Sequence, residues 1–196
     1  MNKRRFLTAG LLGATALSAH AARTPPKASA ERGPTLLTVA GALPHGNRGA
    51  LDPALDQLLV KHGVAFDKAW QFDSAALARL PATTIEPTLE YDAKVHRLSG
   101  PLLSAVVEAA GVAPSAVLLT LRAIDGYKVA VSLADARQYR MIVATTIDGA
   151  PLGLGGLGPL WAVYDADRLP AFKDKPVKER FGLCPWGLYS IDVKAA

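Results

Sequence analysis

The sequence predicts an α+β domain in which short strands alternate irregularly with short helices. Runs of apolar and β-branched residues recur along the chain, and most end at glycine, proline or an Asp-Gly pair. Residues 101–110 show the clearest helical period. No internal repeat is visible, and 196 residues suffice for one domain with a core but not for two of ordinary size. This mixture of elements is typical of α+β architecture.

The N-terminus has the pattern of a signal peptide over residues 1–21. Three basic residues at 3–5 precede an apolar run at 6–17 and a small-x-small cleavage pattern at 19–21. The run is shorter than the roughly 20 residues that span a bilayer. Residues 22–34, rich in proline, are predicted to be a flexible leader. We therefore expect a periplasmic protein, exported by the general secretory route or a twin-arginine-like one.

The domain, predicted at 35–196, begins with a strand at 36–40. Asp52 and Pro53 then predict the start of a helix with leucines on one face, and Gly63 predicts its end. Residues 64–72 form the next predicted strand.

Asp73 is the predicted N-cap of a short helix that Pro81 ends. A threonine-rich, β-prone segment at 82–90 follows. The amphipathic helix at 101–110 comes next, with Gly111 as its C-cap. The Asp-Gly turn after 116–124 predicts a hairpin with 127–131. A helical turn is expected at 133–139, and further strands at 141–146, 160–164 and 187–193.

Charge and cysteine content exclude some function classes. Of the 22 basic residues, three lie in the predicted signal peptide at positions 3–5, and the other 19 exceed the 17 acidic residues by two. No Lys/Arg run with interleaved aromatic residues follows, so nucleic-acid binding is not predicted. The single cysteine, Cys184, excludes an internal disulfide. It has no basic neighbour to activate it, so we expect a buried apolar role rather than a nucleophile.

The familiar catalytic motifs are missing or out of context. Residues 153–158 read G-x-G-x-x-G, but Pro151 precedes them, and Pro159 and a strand-like run follow where a dinucleotide site needs a helix. The glycine-rich loop is still free to touch a ligand. The histidines are scattered, no G-x-S-x-G elbow occurs, and metal-ligand spacings are absent.

Several stretches, in their order and spacing, resemble the oxidoreductase molybdopterin-binding domain of the sulfite oxidase family, in its short, exported, single-domain form. The similarity covers most of the mature chain, although 42–71 looks like an expanded insertion. The matching stretches are LTVAG at 37–41, FDS to LPATT at 72–84, HRLSGPLL to AAGV at 96–112, DGY at 125–127, LAD at 133–135, DGAPL at 148–152, GPLWAVY at 158–164 and WGLYSIDV at 186–193.

The resemblance implies a sulfite oxidase-type fold with a mixed, barrel-like β core and several short helices. The family carries its molybdenum-ligating thiolate in a loop that corresponds here to 84–96, and this loop has no cysteine. Oxygen ligands are a poor substitute for a soft thiolate. We therefore expect a cleft that holds pterin or molybdopterin without molybdenum or another metal, and no catalytic residue.

A pterin is flat and edged with hydrogen-bonding groups, so its site needs a face for stacking and a carboxylate for the ring edge. A cationic group would meet a phosphate. The resemblance places the cleft between the 84–96 loop, the Asp125 turn and the loops around Trp161. The candidates are Glu86 or Asp125 for the ring edge, Tyr91 or Trp186 for stacking, Arg97 and Arg180 for phosphate, and His96 for a hydrogen bond or as the end of a strand. Trp161 is expected in the core.

Three functions remain open. The first is a periplasmic, non-catalytic pterin-binding protein that acts on a membrane-bound signalling or redox partner. The second is a molybdopterin-dependent oxidoreductase that takes its ligand from Glu86, Glu90, Asp92 or Cys184. The third is an interaction domain whose cleft has closed.

Overall fold

A computed structural model describes residues 33–113 and 117–195 of the chain. The predicted signal peptide and all but the end of the predicted leader lie outside the described residues. The architecture is α+β, as predicted, and the described strands form three separate sheets. None of the described sheets closes into a barrel, so the expectation of a barrel-like core was wrong.

The largest sheet has five strands in the order β2-β1-β11-β5-β6. Strands β1 and β11 run parallel, and the other neighbours are antiparallel. β1 and β11 lie inside the sheet because the predicted apolar runs at the two ends of the domain pair with each other. The strands are β1 (Leu37–Gly41), β2 (Ala69–Phe72), β5 (Val117–Ala123), β6 (Lys128–Ser132) and β11 (Leu188–Ala195).

Two smaller sheets complete the β structure. A four-stranded antiparallel sheet has the order β3-β4-β8-β9, and β7 pairs with β10 in a two-stranded sheet. Residue Thr145 separates β7 from β8, so the chain passes directly from one sheet to the other. The strands are β3 (Ala82–Ile85), β4 (Leu98–Pro101), β7 (Ile142–Ala144), β8 (Thr146–Ile147), β9 (Ala150–Pro151) and β10 (Trp161–Val163).

The helices are short and amphipathic. They are α1 (Gln57–Lys61), α2 (Ser74–Ala78), α3 (Leu103–Ala109) and α4 (Leu133–Gln138), with 3₁₀ turns at Ala166–Arg168 and Val177–Glu179. Asp73 caps α2 as predicted, because its carboxylate accepts a 2.7 Å hydrogen bond from the Ala76 amide. The apolar face of α3 is fully buried in the core.

Three predicted segments differ from the structure by several residues. The first helix begins at Gln57 and not directly after Asp52, whose carboxylate accepts hydrogen bonds from the amides of Ala54 and Leu55 and caps a separate turn. Leu55 lies in this turn and is 82% exposed. The strand predicted at 64–72 is limited to β2, and the β-prone segment at 82–90 forms a strand only over β3. As expected, the glycine-rich segment leads into strand β10 and not into a helix.

Gly100 sets the distance between the two smaller sheets. It lies in β4, and a Cβ atom at this position would collide with the carbonyl oxygen of Val143 in β7. Both strands belong to the buried core. Any side chain at position 100 would therefore push the sheets apart.

We expect Gly100→Ala to lower the free energy of unfolding by about 1–3 kcal/mol, the usual cost of overpacking a core. Gly153→Ala is the matched control, since a Cβ there meets no atom within 4 Å, and it should change stability by less than about 0.5 kcal/mol. Urea denaturation followed by tryptophan fluorescence measures both. Equal stability of the two variants would contradict the role given to Gly100.

Candidate functional site

A cavity of about 280 Å³ lies where three loops meet. Glu90 and Tyr91 come from the loop between β3 and β4, and the β5–β6 hairpin contributes a second wall. The segment before β11 provides the third wall. The lining residues are Glu90, Tyr91, Ala123, Asp125, Tyr127, Lys178, Phe181, Gly182, Cys184, Pro185 and Trp186. This cavity is called the β5–β11 cavity below.

The loop that carries Glu90 and Tyr91 is fixed by hydrogen bonds at both ends. The Leu89 amide donates to the Lys94 carbonyl at 2.9 Å, and the His96 amide donates to the Pro87 carbonyl at 3.1 Å. These bonds close the loop on itself. The cavity wall is thus built from a defined turn.

The wall before β11 is anchored to the core by Trp161. This residue is 1% exposed, in agreement with its predicted core position. Its indole N–H donates a 2.9 Å hydrogen bond to the Cys184 carbonyl. The neighbouring Ala162 amide donates to the Pro185 carbonyl at 3.2 Å. Two successive residues of β10 therefore hold two successive residues of the cavity wall.

Three aromatic rings are partly exposed at the cavity. Tyr91 is 55% exposed, Tyr127 49% and Trp186 39%. The Tyr127 hydroxyl donates a 2.8 Å hydrogen bond to the Gly182 carbonyl, which ties the hairpin to the segment before β11. Exposed aromatic rings beside a concave surface are well suited to a flat ligand.

The carboxylates of Glu90 and Asp125 and the ammonium group of Lys178 belong to residues that also line the cavity. Asp125 uses one oxygen to accept a 2.8 Å hydrogen bond from the Tyr127 amide. Partial burial of the Tyr91 hydroxyl, reinforced by the negative charge of Glu90 and a hydrogen bond to it, raises the pKa of Tyr91 to about 12. At neutral pH this phenol is uncharged and both donates and accepts hydrogen bonds.

Cys184 forms part of the cavity wall but is 4% exposed. Burial raises the pKa of its thiol to about 12, and this effect outweighs hydrogen bonds with the backbone and the side chain of Tyr164, which lower the pKa. Below that pH the residue is a neutral thiol. The predicted buried, apolar role is confirmed.

We expect Cys184 to react slowly with a disulfide reagent in the folded protein, because the thiolate is the reactive form and the thiol is buried. Labelling with 5,5′-dithiobis(2-nitrobenzoate) at pH 8 should be negligible in the folded protein and complete in urea. Fast stoichiometric labelling without denaturant would contradict this assignment.

The structure brings together three of the seven predicted site residues: Tyr91, Asp125 and Trp186 line the β5–β11 cavity. The other four lie elsewhere. Glu86 borders a second cavity, Arg97 borders a third, and His96 is paired with carboxylates. Arg180 is bound to Asp167 at 2.6 Å and to the Lys175 carbonyl at 2.7 Å. The Arg180 guanidinium is therefore already paired with groups of the protein.

No sequence pattern assigned Glu90, Tyr127 or Lys178 to a pterin site. Glu90 precedes Tyr91 in the loop at 84–96, and Tyr127 follows the predicted Asp-Gly turn. Their local positions were therefore a usable signal. Lys178 lies in a 3₁₀ turn that no periodicity marks.

His96 forms an ionic cluster with two aspartates. Its ring nitrogens lie 2.7 Å from Asp148 Oδ2 and 3.0 Å from Asp92 Oδ2. Only the protonated imidazole donates from both nitrogens. The hydrogen bonds to Asp148 and then Asp92 raise the pKa of His96 above its ordinary 6.5, and the bonds from His96 lower the pKa of both carboxyls.

A raised folded-state pKa means that the cluster's contribution to stability is complete below pH 6.5 and is lost as pH rises through the folded value. His96→Gln should therefore destabilise the protein more at pH 6 than at pH 9. His45→Gln is the control, since His45 is exposed and forms no described ion pair. Urea midpoints at both pH values measure the effect, and a pH-independent loss would contradict it.

Comparisons with other proteins give no assignment: no known protein family and no curated protein matches the chain. Among residues 33–113 and 117–195, no three histidine, cysteine or acidic side chains form a group that would hold a metal ion. Within the same ranges, no helix has the length and apolar character needed to cross a bilayer.

Proposed function

We propose that this protein is a non-catalytic pterin-binding protein with a sulfite oxidase-type molybdopterin-binding fold, and that the β5–β11 cavity is its site. The observation that carries the proposal is the combination of three exposed aromatic rings with two carboxylates around one concave surface. The cavity's 280 Å³ lies just below the usual range of about 300–1,000 Å³ for ligand sites, which favours a small ligand.

The residues fit the chemistry of a pterin ring. Tyr91 and Trp186 offer aromatic faces for stacking. Glu90 offers a carboxylate that can accept two N–H bonds from the amino-pyrimidine edge, and Asp125 keeps one oxygen free of described partners. The neutral Tyr91 hydroxyl hydrogen-bonds to Glu90. These groups would bind and orient the ring.

The charges at the cavity favour a pterin without a phosphate group. Glu90 and Asp125 face a single cation, Lys178, among the described lining residues. The arginines predicted for phosphate do not line this cavity: Arg180 is paired with Asp167, and Arg97 borders a different one. A doubly charged phosphate would meet a net negative surface, which opposes its binding. A free pterin is therefore the preferred ligand over molybdopterin.

The second candidate, a molybdopterin-dependent oxidoreductase, is favoured by one observation, the presence of Cys184 in the cavity wall. Its burial and raised pKa oppose that role, because a metal ligand must be the thiolate. The open cavity, in turn, favours ligand binding over the closed-cleft hypothesis. Export to the periplasm and action on a membrane-bound partner remain part of the proposal, on the basis of the N-terminal pattern.

Calorimetric titration of the domain with pterin, biopterin and molybdopterin tests the function. We expect micromolar binding of the unphosphorylated pterins and at least about tenfold weaker binding by Glu90→Gln, since a hydrogen bond to a charged group contributes about 1.5–3 kcal/mol. Trp186→Ala should weaken binding by a similar factor through the lost stacking surface.

Glu179→Gln is the matched control, because Glu179 is exposed and does not line the cavity. It should bind like the wild type. Absence of binding by every pterin at millimolar concentration would overturn the function. Stoichiometric molybdenum in protein isolated from a host that makes the cofactor would instead establish the oxidoreductase.

A further inference from the structure

A second cavity, of about 290 Å³, shares no lining residue with the β5–β11 cavity. Its walls come from the end of β3, the turn after α4 and the 3₁₀ turn that follows β10. We call it the Asp165 cavity. Its lining residues are Thr84, Ile85, Glu86, Tyr139, Arg140, Asp165, Arg168 and Leu169.

Asp165 is the unusual member of this set. It is 9% exposed, and its Oδ1 atom is buried without a hydrogen-bond partner in the described part of the protein. Buried carboxylate oxygens are normally paired with hydrogen-bond donors. The described residues supply no donor to Oδ1, so we expect one from outside them. Asp165 is also one of the residues that line the cavity, so a donor in the cavity lies close to this residue.

The existing partner of Asp165 is weakly held. The Oδ2 atom lies 3.2 Å from Nε of Arg168, whose side chain is 81% exposed. An ion pair with so exposed a partner contributes little to stability and exchanges easily. The torsion that turns an aspartate carboxylate is also broad, so either oxygen can face an incoming donor.

Opposite charge and apolar surface are present in the same cavity. Arg140 is exposed and forms no ion pair with the residues that the structure describes. An apolar surface is contributed by Ile85, Tyr139 and Leu169. A buried acid, a free guanidinium and an apolar wall are the three features that recognise an ammonium, a carboxylate and a hydrocarbon side chain.

We propose that the Asp165 cavity binds an α-amino acid with an apolar side chain. The ammonium group donates to Asp165, and the carboxylate pairs with Arg140. The side chain packs on Ile85, Tyr139 and Leu169. The formal charges of the lining residues, two acidic and two basic, sum to zero, as suits a zwitterion.

The test is an amide-detected NMR titration of the domain with L-leucine, N-acetyl-L-leucine and L-leucine methyl ester. L-leucine should shift the amides around Asp165 and Arg140. The two derivatives, which each lack one charge, should bind about tenfold or more weakly, because each leaves one protein charge unpaired. Arg140→Gln and Asp165→Asn should weaken leucine binding by a similar factor.

Arg79→Gln is the control, an exposed arginine in the C-cap position of α2, and should bind leucine like the wild type. Arg140 is at the surface, so its variant tests the site even if Asp165→Asn fails to fold. Two outcomes would overturn the proposal: no shift of the amides near Asp165 at about 10 mM leucine, or equal binding of all three compounds. The first outcome would leave water as the partner of Oδ1. Pterin binding at Tyr91 and Trp186 is measured separately, so the two proposals fail independently.

Discussion

The attachment of the segment before β11 to strand β10 is the constraint on which the candidate site depends. Trp161 is fully enclosed, and its indole N–H has one described partner, the Cys184 carbonyl. A large ring buried in this way contributes strongly to the core, and its polar edge needs an acceptor. Because that acceptor belongs to the cavity wall, core packing and cavity shape are fixed by the same side chain.

The same segment continues into the central sheet. β11 pairs with β1 on one side and with β5 on the other. The β5–β6 hairpin that supplies Asp125 and Tyr127 is therefore placed by its register with β11. A change in that register would move both walls of the cavity at once, so the site is a consequence of long-range strand pairing.

Ion pairs decide which charges are available to a ligand. Asp167 binds Arg180, and the same carboxylate also accepts a 2.7 Å hydrogen bond from the Thr88 amide. Through Asp167, Arg180 therefore helps to hold the loop between β3 and β4 in place rather than facing a phosphate. Asp148 and Asp92 similarly engage His96. Charged residues that the sequence suggested for a ligand thus bind the protein's own acids, which leaves the β5–β11 cavity with an acidic surface.

Local features were predictable where the physics is local. The Asp73 cap, the apolar face of α3 and the hairpin at Asp125 follow from side-chain chemistry within a few residues. The start of α1 was not predictable, since the pattern at Asp52 allows either a helix cap or a turn. The structure has a turn there, and Arg48 binds Asp56, the residue before α1, at 2.5 Å. That contact depends on the fold of the 42–71 segment.

The sequence by itself determined the α+β class, the apolar character of Cys184 and three residues that line one cavity. Periodicity, turn residues and burial preference are properties of short segments, so a single sequence is sufficient to predict them. Only the tertiary structure decided that Glu86, His96, Arg97 and Arg180 lie outside that cavity and that Asp165 lines another. The partner of a charge is chosen by strand register and loop packing, which join residues far apart in the chain and leave no mark in local sequence.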